Sequence, residues 1–286
     1  MKPEFHTDPA PFELIKPKQL RAGILFASPH SGRFLPSEML ANSRLSSFAL
    51  RSYEDAYVDK IIEDVPRHGL VLIAANYSRS YIDVNRDPNI LDGQVVAGVT
   101  SANVCEYTAN GYGLIARQIC QNSPINISKI TLDAAKARIA NVHAPYHFEI
   151  AKWLENMKSR FGEAWLFDVH SMPNSALGGI SADIVLGNRF GSSCDEELTK
   201  LVKNHFENAG LKVRLNQPYA GAHSTKTYGK PAIGQQALQI EINRSLYLNE
   251  HSLELNDGFA AIKRIFGTLA TSESDFFNHR NLTVIA

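Results

Sequence analysis

Two histidines follow directly on apolar runs. Gly23-Ile24-Leu25-Phe26-Ala27 leads into Ser28-Pro29-His30-Ser31-Gly32, and Ala164-Trp165-Leu166-Phe167-Asp168-Val169 leads into His170-Ser171-Met172-Pro173. The run Leu70-Val71-Leu72-Ile73-Ala74 is followed by Arg79, Asp83, Asn85 and Arg86, and a late run, Ala237 to Ile242, contains Glu241 with Asn243-Arg244 behind it. Short apolar runs read as buried strands, and in open α/β sheets ligands bind beyond the carboxyl ends of strands. Two histidines and one carboxylate with an open fourth position form the ligand set of a hydrolytic zinc site. His30 and His170 are the candidate nitrogen ligands. Asp168, two residues before His170, is placed to orient that imidazole. The oxygen ligand is sought in Glu54 or Asp55, just before a helix expected near Tyr57, where capping is the competing role.

Other chemistries find less support. His143 and His147 are spaced as two ligands on one helix face, but Pro145 lies between them and belongs in a first helical turn, which puts His143 ahead of the helix. The pair also lacks the His-Glu-x-x-His pattern. No Gly-x-Ser-x-Gly nucleophile elbow, Walker sequence or Gly-x-Gly-x-x-Gly after a strand occurs. Cys194 opens a helical segment with no base beside it. Cys105, Cys120 and Cys194 are odd in number and widely spaced, which points to reduced thiols in a cytoplasmic protein rather than to a disulfide framework.

These residues need a scaffold that gathers strand ends. Besides the four runs above, Ala182 to Leu186 and Leu211 to Leu215 read as strands. Helical stripes cover Tyr57 to His68, His147 to Phe161 and Cys194 to Ala209, the last with acidic residues in its first turn, as the helix dipole favours. Near-continuous apolar strands alternating with helices predict one α/β domain over residues 1–286, with a mixed or mostly parallel sheet covered on both faces. Residues 87–115 have few apolar runs and carry the turns Asp92-Gly93 and Asn110-Gly111, so they read as a long functional loop or an insertion over the sheet edge.

Composition narrows the partners. The chain has 286 residues, 44% of them hydrophobic and 20% charged, as expected for a protein with a full core. Its 29 basic and 29 acidic side chains cancel, which argues against nucleic acid as a partner. No apolar stretch is long enough for a membrane helix, and the opening residues lack the apolar core of a secretory signal. A small-molecule substrate is the expectation.

Taken together, Ser-Pro-His-Ser-Gly at 28–32, Glu-Asp-Ala-Tyr-Val-Asp at 54–59, Ser-Arg-Ser-Tyr-Ile-Asp-Val-Asn-Arg at 78–86, Asp-Val-His-Ser-Met-Pro at 168–173, Asn-Gln-Pro-Tyr-Ala-Gly at 216–221 and Gln-Ile-Glu-Ile-Asn-Arg at 239–244 resemble the N-formylglutamate amidohydrolase family. The resemblance spans about residues 20–265, with the motifs in family order. The family is similar to zinc carboxypeptidases and aspartoacylases. The likeness implies a phosphorylase/hydrolase-like α/β fold, one zinc per chain, and hydrolysis of an N-acyl amino acid such as N-formyl-L-glutamate, in a histidine-degradation setting. Carried over by residue, it implies metal ligands His30, Asp55 and His170, with Glu54 as the alternative to Asp55, and Glu241 as general base. Asn85 and Arg86 resemble the pair that grips a substrate carboxylate in the carboxypeptidase relatives. Arg79 is expected beside them, with internal pairing to Asp83 or Asp87 the competing role for either arginine. His223 and Tyr228, with Tyr219, lie in a Gly-containing segment that could close over substrate. One departure stands out: relatives commonly carry His-x-x-Glu, but the third residue after His30 is Arg33.

Overall fold

A computed structural model of the chain describes residues 8–100 and 105–285. Its strands are β1 (Phe12–Ile15), β2 (Ile24–Ser28), β3 (Val71–Ala75), β4 (Ala164–Met172), β5 (Ile184–Gly187), β6 (Val213–Leu215) and β7 (Gln235–Asn243). They form one seven-stranded sheet in the order β1-β3-β2-β4-β7-β5-β6. The central strands β3, β2, β4 and β7 are parallel. β1 runs antiparallel to β3, while β5 runs antiparallel to β7 and parallel to β6. The sheet is therefore mixed and flanked by helices, the class read from the sequence.

Period-2 alternation splits the central strands between two cores. Ile24, Phe26, Trp165, Phe167, Leu238 and Ile240 join Phe206, Phe266 and Phe277 on one face, under helices Glu196–Asn208 and Phe259–Ile285. Leu25, Ala27, Ala164, Leu166 and Ala237 face the other way, against Tyr146, Ile150, Leu154 and Met157 of the helix Ala144–Phe161. Burial of each large apolar side chain contributes about 1.5–3 kcal/mol. On the second face the pattern changes character along the strands. After Ala164 and Leu166 come Asp168 and His170, and after Ala237 come Gln239 and Glu241, all buried. One sheet face is thus apolar at its amino end and polar at its carboxyl end.

The helices follow their local signals with some differences. Asp195 caps Glu196–Asn208 by accepting from the Leu198 N–H, ahead of Glu196 and Glu197. The stripe expected over Tyr57–His68 is instead two short pieces, a helix at Val58–Ile61 and a 3-10 turn at Val65–His68 with Pro66 in its opening turn; proline lacks the N–H that a continuous helix would need there. His143 does precede the α-helix, but not in a loop: it ends a π-helical turn, Ile139–His143, that joins Leu132–Arg138 to Ala144–Phe161. Residues 87–100 and 105–115 are largely irregular, with one short helix at Glu106–Ala109; the remainder of the expected loop, 101–104, lies outside the described residues. β1 and the long helix Phe259–Ile285 are elements that the sequence patterns did not announce.

Candidate active site

The polar ends of β2, β4 and β7 lie side by side. Register pairs Ala27 with Asp168, Asp168 with Gln239, and His170 with Glu241. His30 reaches the same place from the turn after β2. That turn packs closely against the segment after β3: a Cβ on Gly32 would lie 2.3 Å from the Tyr77 carbonyl oxygen, so only glycine fits there. Asp55 is clasped to the same turn through its backbone N–H, which donates to the His30 carbonyl at 2.9 Å.

The three side chains converge. His170 Nδ1 lies 3.0 Å from His30 Nδ1 and 3.0 Å from Asp55 Oδ2, and His30 Nδ1 lies 3.3 Å from the same oxygen. The far nitrogen of each ring has its own carboxylate. His30 Nε2 is 2.6 Å from Asp83 Oδ1 and His170 Nε2 is 3.1 Å from Asp168 Oδ2. A ring that donates Nε2–H to a carboxylate presents a lone pair at Nδ1. Two lone pairs and a carboxylate oxygen this close repel unless a cation or a proton lies among them. Ligands about 2.0–2.1 Å from a tetrahedral zinc lie roughly 3.3 Å apart, near the separations seen here. The donor set, spacing and outer carboxylates therefore fit a zinc-like ion. Asp55 has its carboxylate in the cluster. Glu54 turns away, its Oε2 lying 3.5 Å from Arg51 Nε.

Charge around the cluster is tightly arranged. Burial alone would raise Asp55, but hydrogen bonds from His170 and His30, with the charges of His30 and Arg79, hold it well below the carboxylate range. Asp83 is likewise held low: His30, Arg86 and Arg79 outweigh its burial. Burial opposes a charge on His170, yet Asp168 and Asp55 keep its proton affinity well above the ordinary value. Glu241 goes the other way; burial pushes it up to about 7, against the opposing charge of His170. Gln239 Nε2 donates to Glu241 Oε1 at 2.8 Å, so one carboxyl oxygen is held and the other stays available.

A cavity of about 360 Å³ opens over these groups, lined by His30, Asp55, His170 and Glu241 and by Arg79, Arg86 and Arg244. Its aromatic wall comes from Tyr53, Tyr107, Tyr112 and Tyr219. Arg79 donates to Asp83 Oδ2 at 2.8 Å and lies 4.2 Å from the Tyr53 ring centre. Its Nε is buried without a partner. Arg86 stacks 4.0 Å over Tyr107 and donates from Nε to the Tyr112 carbonyl at 2.9 Å. The irregular stretch after Asp87 thus supplies two tyrosines to the wall.

Asn85 also lines the cavity, but both amide atoms are engaged. Oδ1 accepts from the Ser224 N–H at 2.8 Å, and Nδ2 donates to Asp168 Oδ2 at 2.8 Å. This fixes Asp168, which in turn fixes His170. Two of the expected substrate contacts lie elsewhere. His223 and Tyr228 do not line the cavity; they occupy the helix His223–Tyr228, which turns them toward His143 and His147. Tyr228 Oη sits 2.9 Å from His147 Nδ1. Arg244 is a site residue that the sequence reading passed over: it donates from Nη2 to Asp55 Oδ1 at 3.0 Å and from Nε to Ser171 Oγ at 3.1 Å. Its signal was its place just after the strand bearing Glu241. Asp83 was read only as a partner for arginine, whereas it also holds His30.

Residues 22–248 match the profile of the N-formylglutamate amidohydrolase family. N-formylglutamate deformylase of Pseudomonas putida is 27% identical over 81% of this chain and 84% of its own. The Pseudomonas aeruginosa protein of the same name is 27% identical over 84% and 87%. A crystal structure of an N-formylglutamate amidohydrolase from Ralstonia eutropha has a TM-score of 0.89 at 35% identity, covering 95% of this chain and 99% of that one. A product of Agrobacterium tumefaciens, Atu2144, shares the fold at a TM-score of 0.66 and 16% identity, over 97% and 95% of the two chains.

Proposed function

We propose, for a chain that belongs to the N-formylglutamate amidohydrolase family and is therefore an amide-hydrolysing enzyme, that its substrate is N-formyl-L-glutamate, that its products are formate and glutamate, and that its cofactor is one zinc ion. His30, Asp55 and His170 would hold the ion. Bound there, zinc supplies Lewis acidity and brings the pKa of water toward about 7.

The other steps belong to the chain. Glu241, adjacent to His170, takes the proton of the attacking water. The water oxygen bonds to the formyl carbon, the C–N bond breaks, and Glu241 returns the proton to the leaving amine nitrogen. A base with a pKa near the working pH is suited to both transfers, and burial puts Glu241 there. Arg79, which lines the cavity, would stabilise the charge that develops on the carbonyl oxygen. Arg86 takes a substrate carboxylate through a planar fork that lysine lacks. Asn85 contributes by holding Asp168 and His170 in register. Arg79, Arg86 and Arg244 balance the buried Asp55, Asp83 and Asp168, so a divalent cation leaves the wall net positive, as an acidic substrate requires.

The observation that carries this reading is the convergence of His30, His170 and Asp55 beside Glu241 on the floor of a cavity walled by arginine. The test is formate release from N-formyl-L-glutamate, its α- and γ-amides, and N-acetyl-L-glutamate, with zinc and after chelation. The diacid formyl compound is expected to be the best substrate, with chelation abolishing turnover and zinc restoring it. Equal rates on the diacid and its amides would remove carboxylate recognition. Full activity after complete metal removal would remove the zinc.

A further inference from the structure

We propose a second, weaker metal site made by His143, His147 and His223, taking one late first-row divalent ion such as zinc. These histidines are a separate group from the catalytic cluster and do not line the cavity. His143 ends the π-helical turn, His147 lies one turn further along the same helix face, and His223 begins the helix His223–Tyr228. One nitrogen of each lies within 4.8 Å of one nitrogen of the others. Ring centres are 4.4 Å apart for His143 and His147, and 5.1 Å for His147 and His223.

Two of the three rings have their tautomer set by a backbone carbonyl. His143 Nε2 lies 2.9 Å from the Arg86 carbonyl and His147 Nε2 lies 2.6 Å from the Val84 carbonyl. A carbonyl only accepts, so each ring carries its proton on Nε2 and its lone pair on Nδ1. The Tyr228 hydroxyl beside His147 Nδ1 has a second acceptor, the His147 carbonyl at 3.0 Å, and can leave that lone pair to an ion. His223, whose ring also packs against those of His143 and His147, makes one long side-chain hydrogen bond, 3.5 Å from Nε2 to Thr227 Oγ1, so its nitrogens are only weakly committed. Burial holds all three imidazoles below their ordinary proton affinity, His147 at about 3, so protons do not compete for the lone pairs at neutral pH. Three neutral imidazoles and no carboxylate suit zinc, nickel or copper and disfavour magnesium and calcium. The nitrogens must draw together further than those of the catalytic cluster, and no aspartate contributes charge, so this site fills second.

The test counts bound metal. The full chain is stripped with chelator and dialysed against graded zinc. Two equivalents in two affinity classes are expected. His223→Ala and His223→Gln should each lose the weaker equivalent and keep the tighter one, with unchanged circular dichroism. His30→Ala should lose the tighter one and keep the weaker. A wild-type protein that saturates at one equivalent would overturn the proposal, as would retention of both equivalents in the two folded His223 variants. The first equivalent, and with it the catalytic assignment, is read independently.

Discussion

Glu241 differs from the other buried acids of the site in what it touches. Asp55, Asp83 and Asp168 each face a histidine or an arginine at hydrogen-bond distance, so their charge is spoken for. Among the described residues, Glu241 accepts only from the neutral Gln239 amide, which orients the carboxyl without fixing its protonation. Glu241→Gln keeps size and burial and removes the proton acceptor. Turnover should fall by about 100- to 10,000-fold, with zinc content unchanged. Near-normal turnover in a metal-replete variant would exclude Glu241 as the base. The sequence made His30, His170 and Glu241 legible because strand-end polar residues interrupt apolar runs. It left Glu54 and Asp55 open because neighbours in sequence differ only in which way the backbone turns them. Arg244 had only its place behind Glu241 as a signal; its contact with Asp55, across 189 positions, is one that no local pattern encodes.

Among the elements, the helix Phe259–Ile285 carries a feature unrelated to catalysis. Glu273 is fully buried, and neither carboxyl oxygen has a hydrogen-bond partner among the described residues. It shares a face with Leu269, Ala270 and Phe277, which enter the core under Trp165. Burial pushes it up to about 8, so the folded chain keeps it protonated while the unfolded chain ionises it near 4.5. Its contribution is full below the unfolded value and is lost as pH rises toward 8, at up to about 1.4 kcal/mol per pH unit. Glu273→Gln should therefore gain stability over the wild type on going from pH 5 to pH 8, as measured by denaturant titration. A stability difference that stays constant across that range would show that the carboxyl is not held neutral. The same helix shows where pattern reading stopped. Its Thr271-Ser272-Glu273-Ser274-Asp275 stretch masks the apolar face, because a polar residue in the core position looks like a solvent position. β1 was missed for a different reason: a four-residue edge strand with three half-buried positions and an exposed Glu13 gives too short an alternation. The central strands were read within a few residues because both their faces are covered.

For the molecule as a whole, the proposed metal ligands tie together parts of the chain that the sheet alone joins only partly. His30 follows β2, His170 belongs to β4, and Asp55 lies on a connection outside the sheet, held by its N–H bond to His30 and by Arg244 from beyond β7. In the absence of a cation, the two Nδ1 atoms and Asp55 Oδ2 are packed at 3.0–3.3 Å, an arrangement that the unfolded chain does not hold and that a proton on His170 must relieve where no ion does. An ion that binds only the folded arrangement stabilises it by about 2.7 kcal/mol when its free concentration is 100 times its Kd. For a chain of this size each kcal/mol shifts Tm by roughly 2–4 °C. Saturating zinc should therefore raise Tm by at least about 5 °C over the chelated protein. In His223→Ala most of that rise should remain, because the His30, Asp55 and His170 cluster is intact. In His30→Ala most of it should vanish, since Asp55 and His170 then lack their third partner. Differential scanning calorimetry of the three proteins, each with zinc and with chelator, separates the contributions. If the wild type melts at the same temperature in both conditions, the His30, Asp55 and His170 cluster is held by its protons and hydrogen bonds, and the zinc-based reading of the catalytic floor fails with it.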